Sequence, residues 1–142
     1  MTFCPAAVIF DMDGLLVDSE PVWELTERAM IEERGRVHDR IQQQQIGLVG
    51  MRMDEFWTHM ITLYQLSEPL DVLINEIVNR MCGKIAEQVH AHPGAAELIA
   101  FFQAHNIPMA IASSSPNLII DTVVESKGWQ SAFPIRVSGD EV

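Results

Sequence analysis

The segment Phe10-Asp11-Met12-Asp13-Gly14-Leu15-Leu16-Val17-Asp18-Ser19-Glu20 constrains this chain more than any other. It grows out of Ala6-Ala7-Val8-Ile9-Phe10, a continuous apolar run with β-branched members, which predicts a strand buried on both faces, as in parallel sheets. Two carboxylates two residues apart at the end of such a strand sit where open α/β sheets bind their ligands. Burying both is costly unless they share a cation. A plain Asp-Gly turn out of the strand is one alternative. A calcium loop is another, but Gly14 falls at its fourth position where that loop needs glycine at the sixth. Val22 also stands where the bidentate acid belongs.

The same strand pattern returns in Pro108-Met109-Ala110-Ile111-Ala112, followed by Ser113-Ser114-Ser115-Pro116, and more weakly in Pro134-Ile135-Arg136-Val137-Ser138. Asn117 to Lys127 reads as a helix with Ser115 as N-cap, Pro116 at its first position and Gly128 ending it. Leu118, Ile119, Thr122 and Val123 form its apolar face. Pro93-Gly94 opens a helix from about Ala95 to His105. Strand, helix, strand, helix, strand predicts a parallel α/β fold.

About seventy residues, from Ser19 to His92, interrupt that order with helical periodicity: Pro21 to Arg34, Met53 to Leu66 and Leu70 to His90. A single crossover needs far less, so this stretch predicts an all-α domain inserted after the first strand. The expected division is a Rossmann-like core, incomplete, from 1–17 and 93–142, with a helical cap over 18–92. Gln42 to Gln45 are expected on a solvated helix face, and Met51, Met53 and Met60 in cap packing.

The formal net charge is −11, which argues against nucleic acid as partner. No apolar run approaches the roughly 20 residues of a membrane span, so no membrane partner is expected either. Nothing basic precedes the apolar N-terminus, so it does not read as a secretory signal. Cys4 and Cys82 lack any CxxC or zinc spacing and predict free buried thiols in a reducing cytosol, hence a cytoplasmic protein. His90 and His92 have no third ligand nearby and do not predict a metal site.

The Asp11 segment resembles the first motif of haloacid dehalogenase-type phosphatases, hhFDxDGhhhDSE. Ile111-Ala112-Ser113-Ser114-Ser115-Pro116-Asn117 is similar to the second, a Ser or Thr at the end of the next core strand. The resemblance covers essentially the whole chain. It implies that Asp11 is the nucleophile and that Asp13 is the general acid and base. It also implies that Mg²⁺ is held by the Asp11 side chain, the Asp13 carbonyl and a later acid. Gly14, Ser113, Ser114 and Asn117 are implied around the phosphoryl group, alongside Asp11 and Asp13. By the same likeness the helical stretch is a mobile cap hinged near Val17–Ser19 and His90–Gly94. Arg52, in Gly50-Met51-Arg52-Met53-Asp54, is then a substrate contact, or else a surface arginine paired with Asp54 or Glu55. Glu20 meets a sugar hydroxyl or caps the helix beginning at Pro21.

The implied activity is Mg²⁺-dependent hydrolysis of a small phosphomonoester, such as a hexose 6-phosphate, through an aspartyl phosphate. The implied partner is a small phosphorylated metabolite, and the complete parent is expected to be a monomer. A sugar-phosphate mutase is the alternative within enzymes, although Trp23 stands where β-phosphoglucomutases carry a cap histidine. A non-catalytic truncated fragment is the alternative outside them. The pattern also implies a Lys and an acidic pair that Ser138-Gly139-Asp140-Glu141-Val142 only approaches, so this chain alone is expected to be inactive.

Overall fold

The computed structural model describes residues 5–48 and 50–141. Cys4 therefore lies outside the described residues. Three parallel strands, β1 (Val8–Phe10), β4 (Met109–Ser113) and β5 (Ile135–Ser138), form a sheet in the order β1-β4-β5. Val8 pairs with Met109, and Ala110 with Ile135. Helix α5 (Ala95–Ala104) precedes β4, and α6 (Asn117–Lys127) joins β4 to β5. The result is an α/β fold with a parallel sheet, as the strand and helix order predicts.

Among the described residues only one sheet face is covered. Phe10, Met109 and Ile111 are buried, and Phe10 meets Phe102 of α5 and Phe133 edge-on, with ring centroids 6.1 and 5.8 Å apart. On the opposite face Ile9 is 72% and Ile135 61% exposed. The expectation of a first strand buried on both faces is thus corrected: a continuous apolar run does not say how many layers cover it. The strand is also shorter than expected, beginning at Val8.

Between β1 and β4 the chain leaves and returns through a short antiparallel ribbon, β2 (Val17–Asp18) with β3 (His90–Ala91). Four helices lie between its strands: α1 (Glu20–Glu33), α2 (Arg40–Gln45), α3 (Met53–Tyr64) and α4 (Leu70–Gln88). The apolar stripes of α1, α3 and α4 close on one another, leaving Met30, Ile31, Trp57, Met60, Leu73, Ile77 and Met81 without exposed surface. Arg34, just past α1, ties the bundle by bonding Glu68 and Glu76, each at 2.7 Å. Helix α4 also packs along α6, which fixes the bundle against the sheet layer.

Several local expectations change. Gln43 is fully buried and bonds the Tyr64 hydroxyl at 3.3 Å and His38 Nε2 at 3.1 Å, so the glutamine patch is not uniformly solvated. Cys82 is a free thiol, as expected, but only half-buried. Helix α6 buries Ile119, Ile120, Val123 and Val124, while Leu118 is 54% exposed. Its N-cap is Pro116 rather than Ser115. Ser115 is instead drawn into the site described next.

Candidate active site

Asp11 and Asp13 follow β1 directly, and the turn after them is closed by the backbone: Leu16 N–H donates to Met12 O at 2.9 Å, and Gly14 N–H to Val17 O at 2.9 Å. Gly14 sits at φ +75°, where a side chain would be strained. Within this turn Met12 is wholly buried and anchors the loop in the core, while Asp11 on one side is exposed and Asp13 on the other half-buried. The alternation is what presents both carboxylates above the sheet end.

The Asp13 carboxylate is heavily held. Its Oδ1 accepts from the Ser19 hydroxyl at 2.5 Å and from the Trp23 indole at 3.4 Å. Its Oδ2 accepts from Ser113 Oγ at 3.0 Å and Ser115 Oγ at 2.8 Å. Ser115 N–H also donates to Ser113 Oγ at 3.0 Å. The ends of β1 and β4 and the first turn of α1 thereby meet at one side chain. Among the described residues Asp11 Oδ1 accepts only a local bond, from Met12 N–H at 2.7 Å, and its carboxylate stays open.

These groups form one wall of a cavity of about 700 Å³. Asp11, Asp13, Ser113, Ser114 and Ser115 line the sheet side, and Glu20, Trp23, Glu27, Arg40, Met51 and Phe56 are among those lining the helical side. Glu27 is only 7% exposed; burial pushes its carboxyl up to about 7, opposed by the Arg40 charge and reinforced by Glu24. Met51 and Met53 line the cavity as well, so of the three methionines only Met60 serves packing alone.

Other expected site residues are placed differently. Arg52 pairs with Asp54, Nε to Oδ1 at 3.3 Å. Its stem lies against Gly139, where an added Cβ would come within 3.6 Å of Arg52 Cγ and 3.2 Å of Ser114 Cα. Asn117 is outside the cavity wall and donates to Glu141. Gly14 is a turn residue beside Glu20 Oε1, and the N-cap of α1 is Ser19, without a side-chain cap bond.

Residues 8–142 match the family described as Haloacid dehalogenase-like hydrolase. The chain belongs to that family. Among its relatives, Hexitol phosphatase B of Escherichia coli K12 is 25% identical over 141 residues, covering 96% of this chain and 61% of that protein. The bifunctional riboflavin kinase/FMN phosphatase of Arabidopsis thaliana is 26% identical over 138 residues, covering 96% of this chain and 36% of the relative. The fold is shared with CbbY from Rhodobacter sphaeroides in complex with phosphate, at a TM-score of 0.81 and 20% identity, covering 96% of this chain and 64% of that one. The chain thus spans 36% and 61% of those two curated relatives.

Sequence reasoning did not place Ser115, Glu27 and Arg40 at this cavity, and it met Trp23 only as the residue standing where a mutase has a cap histidine. One signal was present: Glu20, Trp23 and Glu27 are spaced i, i+3, i+7 and so share one helix face. The others converge only through tertiary packing.

A divalent cation fits the donors in kind. Mg²⁺ takes oxygen ligands and is commonly held by one or two carboxylates together with phosphate and water. The open Asp11 carboxylate supplies the first. Among the described residues no three His, Cys, Asp or Glu side chains converge on one point.

Proposed function

We propose that the protein carrying this chain is a phosphatase of small phosphomonoesters, sugar phosphates in particular. What carries the reading is the placement of Asp11, open and at the end of β1, beside a fully hydrogen-bonded Asp13 and before a cavity of about 700 Å³. The activities for which relatives are named, a hexitol phosphatase among them, support the same reaction class.

In this reading an oxygen of Asp11 attacks phosphorus and the bond to the leaving oxygen breaks, giving an aspartyl phosphate. Asp13 protonates the leaving oxygen, then takes a proton from the water that releases phosphate. To do so it gives up one of its four present donors, of which the Trp23 indole at 3.4 Å is the longest. Ser113 and Ser114 border the phosphoryl position, close to the N-terminus of α6, which favours an anion. The Asp11 side chain and the Asp13 carbonyl would hold Mg²⁺, which would supply charge neutralisation for the phosphoryl oxygens.

The helical segment over residues 18–92 acts as a cap whose hinge is the β2–β3 ribbon, and its inner wall selects the leaving group. Trp23 favours hydrolysis over a mutase: its indole already occupies Asp13, on the side where a mutase histidine would act. A small phosphorylated metabolite is the only partner the reaction requires, and the setting is cytoplasmic. None of the described helices is long and apolar enough to cross a membrane.

The full-length protein should hydrolyse p-nitrophenyl phosphate and sugar phosphates with Mg²⁺ and lose that turnover in EDTA. Undiminished turnover in EDTA would refute the metal assignment. Residues 1–142 alone should turn over no more than their own Asp11→Asn variant.

A further inference from the structure

The helical wall of the cavity contains a group that the phosphoryl chemistry does not use. Glu27, on α1, lines the cavity and is 7% exposed. Its Oε2 is sealed from solvent and has no hydrogen-bond partner among the described residues. A buried polar atom without a partner has lost its water and gained nothing in return, so such atoms call for an explanation. Glu27 lines the cavity, so a ligand there would meet that oxygen once the side chain turns toward it.

The polarity of the site narrows that ligand. Its titratable groups are Asp11, Asp13, Glu20 and Glu27, with Arg40 the one cation among the lining residues. Arg40 is itself shared with Glu24, Nε to Oε2 at 3.8 Å. Glu24 also pairs with Arg28 at 3.2 Å. Apart from Arg52 at the mouth, which pairs with Asp54, the helical end therefore has little positive charge to offer a second phosphate or a carboxylate. Met51, Phe56 and Leu48 supply apolar surface for a carbon skeleton.

Building on the phosphatase reading above, we propose that Glu27 is the specificity-determining residue of this site and recognises an uncharged hydroxyl on the group that the phosphate esterifies. A carboxyl with its proton both donates and accepts, and a hydroxyl does the same, so the two are complementary. Burial favours the protonated form near neutral pH, with Arg40 opposing and Glu24 reinforcing. The other acidic groups lining the cavity are Glu20, on the same helix, and Asp11 and Asp13 on the sheet wall. The Trp23 and Glu27 side chains, four residues apart on α1, thereby connect the two ends of the substrate: one reaches the acid–base carboxylate, the other the leaving group.

The test compares sorbitol 6-phosphate with p-nitrophenyl phosphate, whose leaving group has no aliphatic hydroxyl, on the full-length protein. Glu27→Met should lower the ratio of kcat/KM values, sorbitol 6-phosphate over p-nitrophenyl phosphate, by about 10–100-fold, the cost of an unpaired buried hydroxyl. Glu27→Gln keeps a donor and an acceptor and should hold that ratio within about threefold. A ratio unchanged in Glu27→Met, or lost equally in Glu27→Gln, overturns the proposal. A second measurement does not depend on turnover. In wild-type protein the ¹³C resonance of the Glu27 carboxyl should move with sorbitol 6-phosphate and not with inorganic phosphate alone. Equal responses to both, or none to the ester, also overturn it. Absence of hydrolysis with a selective Glu27 response would refute the phosphatase reading and leave the hydroxyl-recognition claim standing.

Discussion

The two walls of the cavity treat their acidic groups in opposite ways. On the sheet side Asp13 is satisfied by Ser19, Trp23, Ser113 and Ser115 before any ligand arrives. On the helical side Glu27 keeps a sealed oxygen with no partner among the described residues. A carboxylate fixed by four donors is preoriented, which is what positioning and electrostatic catalysis needs. An unsatisfied carboxyl stores a cost that a ligand can relieve. On the proposed reading, the difference divides chemistry and selection between the layers, with the reacting groups at the strand ends and the recognising one on the helices. Packing follows the same division. The helical bundle closes a core of wholly buried side chains such as Trp57, Met60 and Ile77, although Leu25 and Val72 stay exposed, while the sheet leaves Ile9, Ile135 and Val137 exposed on one face.

The comparison breaks most severely if the bundle loses its centre. Trp57, on α3, is wholly buried where α3 packs on α4, and Trp57→Ala should cost roughly 3–5 kcal/mol by urea denaturation. A loss under about 1 kcal/mol would show that the helical core is not the closed unit described.

The next effect sharpens the contrast between the walls. Glu27 has its folded-state carboxyl raised from 4.5 to about 7. Between those values the folded chain keeps a proton that the unfolded chain has lost, so wild-type stability falls as pH rises through that window. Glu27→Gln does not titrate there. Relative to wild type it should gain up to about 3 kcal/mol between pH 4 and pH 8, read from denaturation midpoints. Parallel pH profiles for the two proteins would mean that Glu27 is not the buried acid described.

A smaller effect is expected at the cavity mouth. Arg52 pairs with Asp54, yet its stem lies against Gly139 and so beside Ser114. Arg52→Ala should lower kcat/KM for a sugar phosphate by about tenfold more than for p-nitrophenyl phosphate, on the order of the lost charge-assisted bond. Equal losses on both substrates would leave Arg52 as a surface arginine.

The parts legible in the sequence were those fixed locally. A strand ending in Asp11-Met12-Asp13-Gly14 dictates where two carboxylates emerge, and Ser113 follows from the end of the next strand. The seventy-residue helical interruption was readable from periodicity, although ends moved, as at α3, which stops at Tyr64. What was not legible depends on distant packing. Ser115 looked like a helix cap because Ser-Pro-Asn suits one, and only the approach of β1 to β4 turns its hydroxyl toward Asp13. Arg40, the first residue of α2, reaches the cavity beside Glu24 of α1, a meeting that no spacing announces. Ile9 shows the remaining limit: apolar character gives a strand its propensity without saying what covers it.

The central claim is that Asp11 is the phosphoryl acceptor. Its most direct test is the turnover of p-nitrophenyl phosphate by full-length Asp11→Asn protein beside wild type, both shown to be folded. An amide is no nucleophile, so the loss should be at least about 10²-fold. Retention of even a tenth of the wild-type rate would contradict the assignment.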